Sequence, residues 1–236
     1  RVTPMHKSVL YALQRTLPIM AGFFPLGIAW GILMAEAGYG WLWTGLTSVT
    51  VFAGSLQFLM LTFFAGGVPV VTMIVMALLL NSRHITYGLS FIESFRRYGP
   101  WKYFLIYSLS DENYSLLCAF RPQPGTDERT VNVLSSALVV LYWVAFTSLG
   151  AALGRLITLD TTGLDFALTA LFVVILLDQM RGAPTLLPAG IAAFSAILCL
   201  LIFGPAGFIL PSLVITVAAL LVLRPRLARA TAEAGE

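Results

Sequence analysis

The sequence predicts an all-α polytopic membrane protein of about eight transmembrane segments, some of them discontinuous near the bilayer midplane. Composition, the length of the apolar runs and the placement of charge carry that expectation. The 236 residues are 58% hydrophobic and 11% charged, with a mean hydropathy of +0.89. A soluble domain is usually about 45–50% apolar and 25% charged. Such a chain cannot cover its surface with polar groups, so lipid is the solvent that suits it. Its apolar runs approach the roughly 20 residues that a helix needs to span a bilayer. Lys and Arg gather at the ends of those runs, as membrane topology requires. The net charge of +3 therefore does not point to nucleic acid.

The first segment, 12–35, carries Pro18 and Pro25 inside a stretch rich in small residues. The second, 42–65, starts beside Trp41 and Trp43 and the fourth, 101–120, at Trp101, where interface anchors belong. Between them the third runs from 69 to 95. The longest polar connection, "RPQPGTDERT" (121–130), precedes segments at 131–153, 165–181, 185–203 and 207–223. Asp178-Gln179 reads as an interfacial helix end, with a proton site as the alternative, and Cys118 and Cys199 as packing residues. No cleavable signal is expected, because the run from Ser8 leads into a Gly- and Pro-rich segment without a cleavage box. With both ends inside, the inner side receives Arg1, Lys7, Arg15, Arg121, Arg129, Arg181, Arg224, Arg226 and Arg229. The outer side receives Arg96, Arg97, Lys102 and Arg155, a favourable bias weakened by the connection "RRYGPWK". A re-entrant third segment gives seven crossings and an almost even split.

A repeat is expected within a single transporter domain, 1–236. "FFPLGIAWGIL" (23–33) matches "FTSLGAALGRL" (146–156) at Phe, Leu, Gly, Ala, Gly and Leu, which suggests copies at 12–120 and 131–223. Transporters are often built from two such repeats around a midplane site. Small residues four apart also have a plainer use, since they let membrane helices pack closely.

Polar residues fall at one depth in three consecutive segments. Ser55 and Gln57 lie at the centre of the second, Asn81, Arg83 and His84 at the centre of the third, and Asp111, Glu112 and Asn113 at the centre of the fourth. A charged side chain at mid-helix costs about 2.5–3.5 kcal/mol on insertion scales, so Arg83 calls for a carboxylate partner, Asp111 or Glu112. The alternatives are an ion pair that only fixes register and a set of groups facing a substrate cavity. Gly54-Ser55, Asn81-Ser82, Gly88, Pro18 and Pro25 favour the cavity, because broken helices at depth line cavities and aim their termini at charged ligands.

Other chemistries lack their signatures. "AGYGW" (37–41) misses the Thr and Val of a potassium filter. There is no HExxH, GxSxG or Walker loop, and His6 and His84 are too far apart for a zinc cluster. No metal, cofactor or catalytic residue is expected. A passive channel would show a polar stripe along a helix, and a membrane-embedded enzyme a known catalytic spacing.

"FPLGIAWG", "FAGSLQF", "NSRHITYGLS" and "SLSDENYSL" follow one another over the first half, and "GLDFALTALFVVILLDQMRG" (163–182) continues the pattern. Together they resemble the AzlC-type branched-chain amino acid permeases, large subunits of two-component bacterial exporters. Asn81, Arg83, His84, Tyr87 and Gly88 form the most specific part. The sequence departs from the pattern at "LLDQM", around Asp178. The resemblance implies a multi-pass inner-membrane exporter of leucine, isoleucine, valine and related apolar amino acids, with a small hydrophobic AzlD-type partner. An importer, or a permease for another small zwitterionic or organic solute, uses the same site chemistry. For such a substrate, Arg83 or nearby helix N-termini suit the carboxylate and Asp111 or Glu112 the ammonium. Ser55, Gln57, Asn81 and Asn113 suit neutral hydrogen bonds, with Phe52, Phe58 and Tyr87 as walls. His84, with Asp111, is the expected proton-coupling site.

Overall fold

The computed structural model describes residues 4–64, 68–156 and 185–233, with positions 173, 176, 177 and 180. The described residues form helices and short connections, without a strand. They divide into two units, 1–160 and 161–236.

In the first unit, α1 (Pro4–Glu36) and α8 (Glu128–Leu156) are the long helices. The helix α1 runs through Pro18 and Pro25 without ending; the breaks expected there do not form, as lipid-embedded helices tolerate proline where neighbours re-satisfy the backbone. The two helices are parallel, since contacts climb both together. Ser8 accepts from the Asp127 N–H at 3.1 Å. The Phe23 ring lies 5.0 Å from Trp143, and Gly154 meets Ile32 and Ala35. Glycine allows this approach: a Cβ on Gly31 would sit 2.1 Å from the Thr147 carbonyl oxygen, and one on Gly150 2.3 Å from that of Ile28. The two matching stretches of the sequence thus pack on each other.

Between these helices the chain makes two hairpins and one broken span. Helix α2 (Trp41–Thr50) descends antiparallel to α8, with Gly40 beside Arg155, Gly45 beside Ser148 and Ser48 bonded to Thr147. The chain unwinds at Val51–Ala53 and reverses. Helix α3 (Gly54–Phe64) returns: Gln57 bonds Ser48, and the Phe64 ring lies 4.8 Å from that of Tyr39. Both ends of this hairpin sit at the C-terminal end of α8.

The broken span is α4 (Val70–Asn81) and α5 (Arg83–Arg96), bent by 42° at Ser82. It delivers Tyr98 to the N-terminal end of α8, where the phenol donates to Glu128 at 2.8 Å and accepts from Asn132 at 3.1 Å. Helix α6 (Trp101–Tyr107) then enters from that end. After a turn at Ser108–Ser110, α7 (Asp111–Cys118) goes back to it. Ser110 caps α7 by accepting from the Asn113 N–H, with Asp111 and Glu112 in the first turn where the helix dipole favours them. Leu105, Leu109 and Leu117 share a core with Phe95 and Tyr98. Arg15 donates to the Leu116 carbonyl and, at 3.3 Å, to Asn132.

These contacts correct three expectations. Segments 42–65 and 101–120 are re-entrant hairpins instead of spans, because each reverses at its polar or glycine-containing centre. The third segment takes the chain from one end of α8 to the other, bent at Ser82. The connection 96–102 lies at the same end as Lys7, Arg15, Arg121 and Arg129, so its basic residues reinforce the charge bias. Among the described residues, the helices long and apolar enough to cross are Met5–Glu36, Glu128–Leu156 and Leu187–Gly204, and α4–α5 makes a fourth when the bent pair is taken as one span. The segment expected at 165–181, with Asp178 and Gln179, lies outside the continuously described residues.

In the second unit, α9 (Leu187–Gly207) and α10 (Ile209–Glu233) pair. The chain leaves helical geometry at Gly204, whose φ of 70° suits glycine. The Ser195 hydroxyl reaches the Ser212 carbonyl at 3.3 Å and the Thr216 hydroxyl.

Candidate functional site

The breaks in α2–α3, α4–α5 and α6–α7 meet at mid-depth in the first unit. Each break begins a new helix, so Ser55, Arg83 and Asp111 occupy the first turns of α3, α5 and α7. Three helix N-termini, with their partial positive charge, are thereby gathered at one place. Arg83 donates through Nη1 to Asp111 Oδ2 and through Nη2 to Ser55 Oγ at 2.9 Å. One guanidinium thus bridges hairpins that enter from opposite ends. The pair is open enough to meet a ligand, the Arg83 side chain being 26% exposed and that of Asp111 39%.

The polar inventory here is not closed. Asn81 Oδ1, Arg83 Nε and Asp111 Oδ1 are buried atoms with no hydrogen bond of normal geometry. Two are acceptors and one is a donor. Tyr87 brings its hydroxyl near Asp111 and stacks on Tyr114 with ring centroids 4.4 Å apart. His84 Nδ1 lies 3.1 Å from the Asn81 carbonyl, and its ring 5.7 Å from that of Tyr87.

Beside this cluster is a cavity of about 250 Å³. Its walls are Phe52, Ala53, Ile106, Tyr107 and Leu109, with Gly88, and its polar groups are Asn81 and His84. Phe58 is buried in the packing and takes no part in this wall. Sequence reasoning missed Tyr107. Its only signal is its position just before "SLSD", at the end of a half-helix.

Gln57 and Asn113 sit deeper and are spoken for. The Gln57 amide donates to Ser48 at 3.2 Å and accepts from the Trp143 indole at 2.6 Å. The Asn113 amide donates to the Ser108 carbonyl at 2.8 Å and to Ser136 at 3.0 Å. Each carboxamide clips the two limbs of its own hairpin together and ties them to α8. Glu112 is exposed, accepts from the Ser110 hydroxyl at 2.9 Å, and forms no ion pair among the described residues.

Comparison with known proteins matches residues 18–157 to the model of a family described as AzlC protein. The chain is 33% identical over 219 residues to the branched-chain amino acid transport protein AzlC of Bacillus subtilis, covering 93% of this chain and 86% of that one. It is 29% identical to an uncharacterized membrane protein of Helicobacter pylori, covering 94% of this chain and 97% of the relative. A further uncharacterized membrane protein, from Haemophilus influenzae, is 30% identical over 89% of this chain and 87% of its own length. No solved structure matches the chain.

Proposed function

The chain belongs to the AzlC family of transport proteins, and from that premise we propose that it is a secondary transporter exporting branched-chain and related apolar amino acids. The observation that carries this reading is the open set of polar atoms at the helix breaks. A zwitterion presents a carboxylate for the partly exposed Arg83 guanidinium and the nearby helix N-termini, and an ammonium for the partly exposed Asp111 carboxylate and the unpartnered Asn81 Oδ1. Its side chain suits the adjoining cavity, whose walls are mostly aliphatic and aromatic. Ser55 and Tyr87 hold Arg83 and Asp111 in place, while Gln57 and Asn113 fix the hairpins that bring the ligands together.

His84 is the proposed proton-coupling group, because it lines the cavity one residue from Arg83 and imidazole is the usual proton carrier among side chains. Lys7, Arg15, Arg96, Arg97, Lys102, Arg121 and Arg129 all gather at the N-terminal end of α8, against Arg155 at the other. The positive-inside rule makes the richer end cytoplasmic in a bacterial inner membrane. A small AzlD-type subunit is the proposed partner, set against the apolar side chains that α4 and α5 expose at Val71, Ile74, Leu78, Ile85 and Leu89.

Leucine counterflow tests the reading. Liposomes containing the chain and its partner, loaded with unlabelled leucine, should accumulate external labelled leucine transiently, and valine should compete. Uptake equal to that of protein-free liposomes, with correctly inserted protein, would rule the proposal out.

A further inference from the structure

We propose that Tyr107 is both the gate and a side-chain selectivity residue of this site; the proposal rests on the transport reading above. The two re-entrant hairpins meet tip to tip. Among the described residues, the hydrogen bond that joins them directly runs from the Tyr107 hydroxyl, at the end of α6, to the Val49 carbonyl, near the end of α2. The Tyr107 ring lies 6.0 Å from that of Phe52, at the opposite tip, and both rings line the cavity with Asn81 and His84.

The links differ in how firmly they are set. Each hairpin is fastened to α8 by buried groups: Ser48 with Thr147, Gln57 with Trp143, and Asn113 with Ser136. Every one of these lies away from solvent, where an unmade bond is expensive. The tip-to-tip link is different. Tyr107 is 38% exposed and its bond is not enclosed by protein, so a ligand in the adjoining cavity can replace it. Arg83 makes the other bridge, through Ser55 and Asp111, and substrate competes for both partners. A substrate side chain entering the cavity meets the Tyr107 ring, and in the proposed cycle this contact draws its hydroxyl away from Val49. Occupancy is thereby tied to separation of the tips, while the bases of the hairpins stay fixed.

The ring also sets one wall of the space for the substrate side chain. The pocket of about 250 Å³ has two aromatic rings on its wall, and the Tyr107 ring limits how far a substrate side chain reaches into it. Shortening the wall should admit larger side chains.

The test uses the full chain with its partner in lipid, with Cys118 and Cys199 replaced by alanine. Spin labels are attached at Val51→Cys and Ile106→Cys, on the two tips. In the parent protein the distance distribution should be dominated by one short component. Tyr107→Phe keeps the ring and loses the hydroxyl, and it should raise a longer component by roughly five-fold, the effect of one lost hydrogen bond. An unchanged distribution in Tyr107→Phe would overturn the gate. This readout needs no substrate, so it stands or falls separately from the transport reading. For selectivity, Tyr107→Ala should raise the affinity for phenylalanine relative to leucine by about ten-fold. A ratio equal to that of the parent, in a variant that still binds leucine, would overturn the wall.

Discussion

Arg83 occupies the most demanding position in the chain, a guanidinium at mid-depth whose bonds reach two separate hairpins. Removing it leaves Asp111 without its partner. Losing one partner of a fully buried pair costs about 3–5 kcal/mol, but Asp111 is 39% exposed, and solvent screening reduces this to about 1–3 kcal/mol. Thermal unfolding in detergent should show that loss for Arg83→Ala, together with abolished leucine exchange. Arg83→Lys keeps the charge but cannot reach Ser55 and Asp111 through a planar fork. It should recover most of the stability while exchange stays at least about ten-fold down. Stability and exchange falling in parallel in both variants would leave Arg83 a purely structural role. His84→Gln separates coupling from binding, since glutamine cannot titrate. Leucine exchange at equilibrium should persist and pH-driven accumulation should vanish, and wild-type accumulation by the variant would remove His84 from the coupling path.

At the level of elements, α8 is the post on which both hairpins hang, and Asp127 starts it. The Asp127 carboxylate accepts from the Thr130 N–H at 2.8 Å and from its hydroxyl at 2.5 Å, which holds its pKa below the ordinary carboxylate range. A group depressed in this way contributes stability that is full above its unfolded value and is lost as pH falls through the folded one. Asp127→Ala should therefore destabilise by about 1 kcal/mol at neutral pH, and the difference from wild type should shrink on acidification below about pH 4. A pH-independent difference would point to lost packing instead of a lost cap. The sequence made α1, α8 and α9 legible, since each has a run long enough to span, and α10 as a shorter apolar helix. It also made the depth of Ser55, Arg83 and Asp111 legible, because position in a segment is simple counting. Reversal was hidden: 41–64 and 101–118 have the length and apolarity of single spans. Only contacts such as Tyr39 with Phe64, between residues far apart in the chain, distinguish a hairpin from a crossing. Gln57 and Asn113 resemble site residues by depth for the same reason, and their capture by Trp143 and Ser136 depends on partners about 86 and 23 residues away.

For the first unit as a whole, three spans with two hairpins dipping from opposite ends make a definite topology. Cysteines placed singly at Trp41 and Val68 should react with an impermeant reagent from the same face. Those at Lys102 and Arg121 should react together from the opposite face. Trp41 and Val68 reacting from opposite faces would restore a crossing at 42–65 and undo the meeting of the tips. The family assignment fits an architecture in which polar half-helix termini converge inside an apolar chain. On the proposed reading, such a convergence binds a ligand that carries both charges. Binding of leucine and of two relatives that each lack one charge, leucinamide and 4-methylpentanoate, to the purified protein decides the matter by calorimetry. The site as described should bind leucine and hold each relative at least about 100-fold more weakly, because either one leaves Arg83 or Asp111 unmatched. Equal affinity for all three would mean that Arg83 and Asp111 only brace the hairpins and that the ligand is held elsewhere.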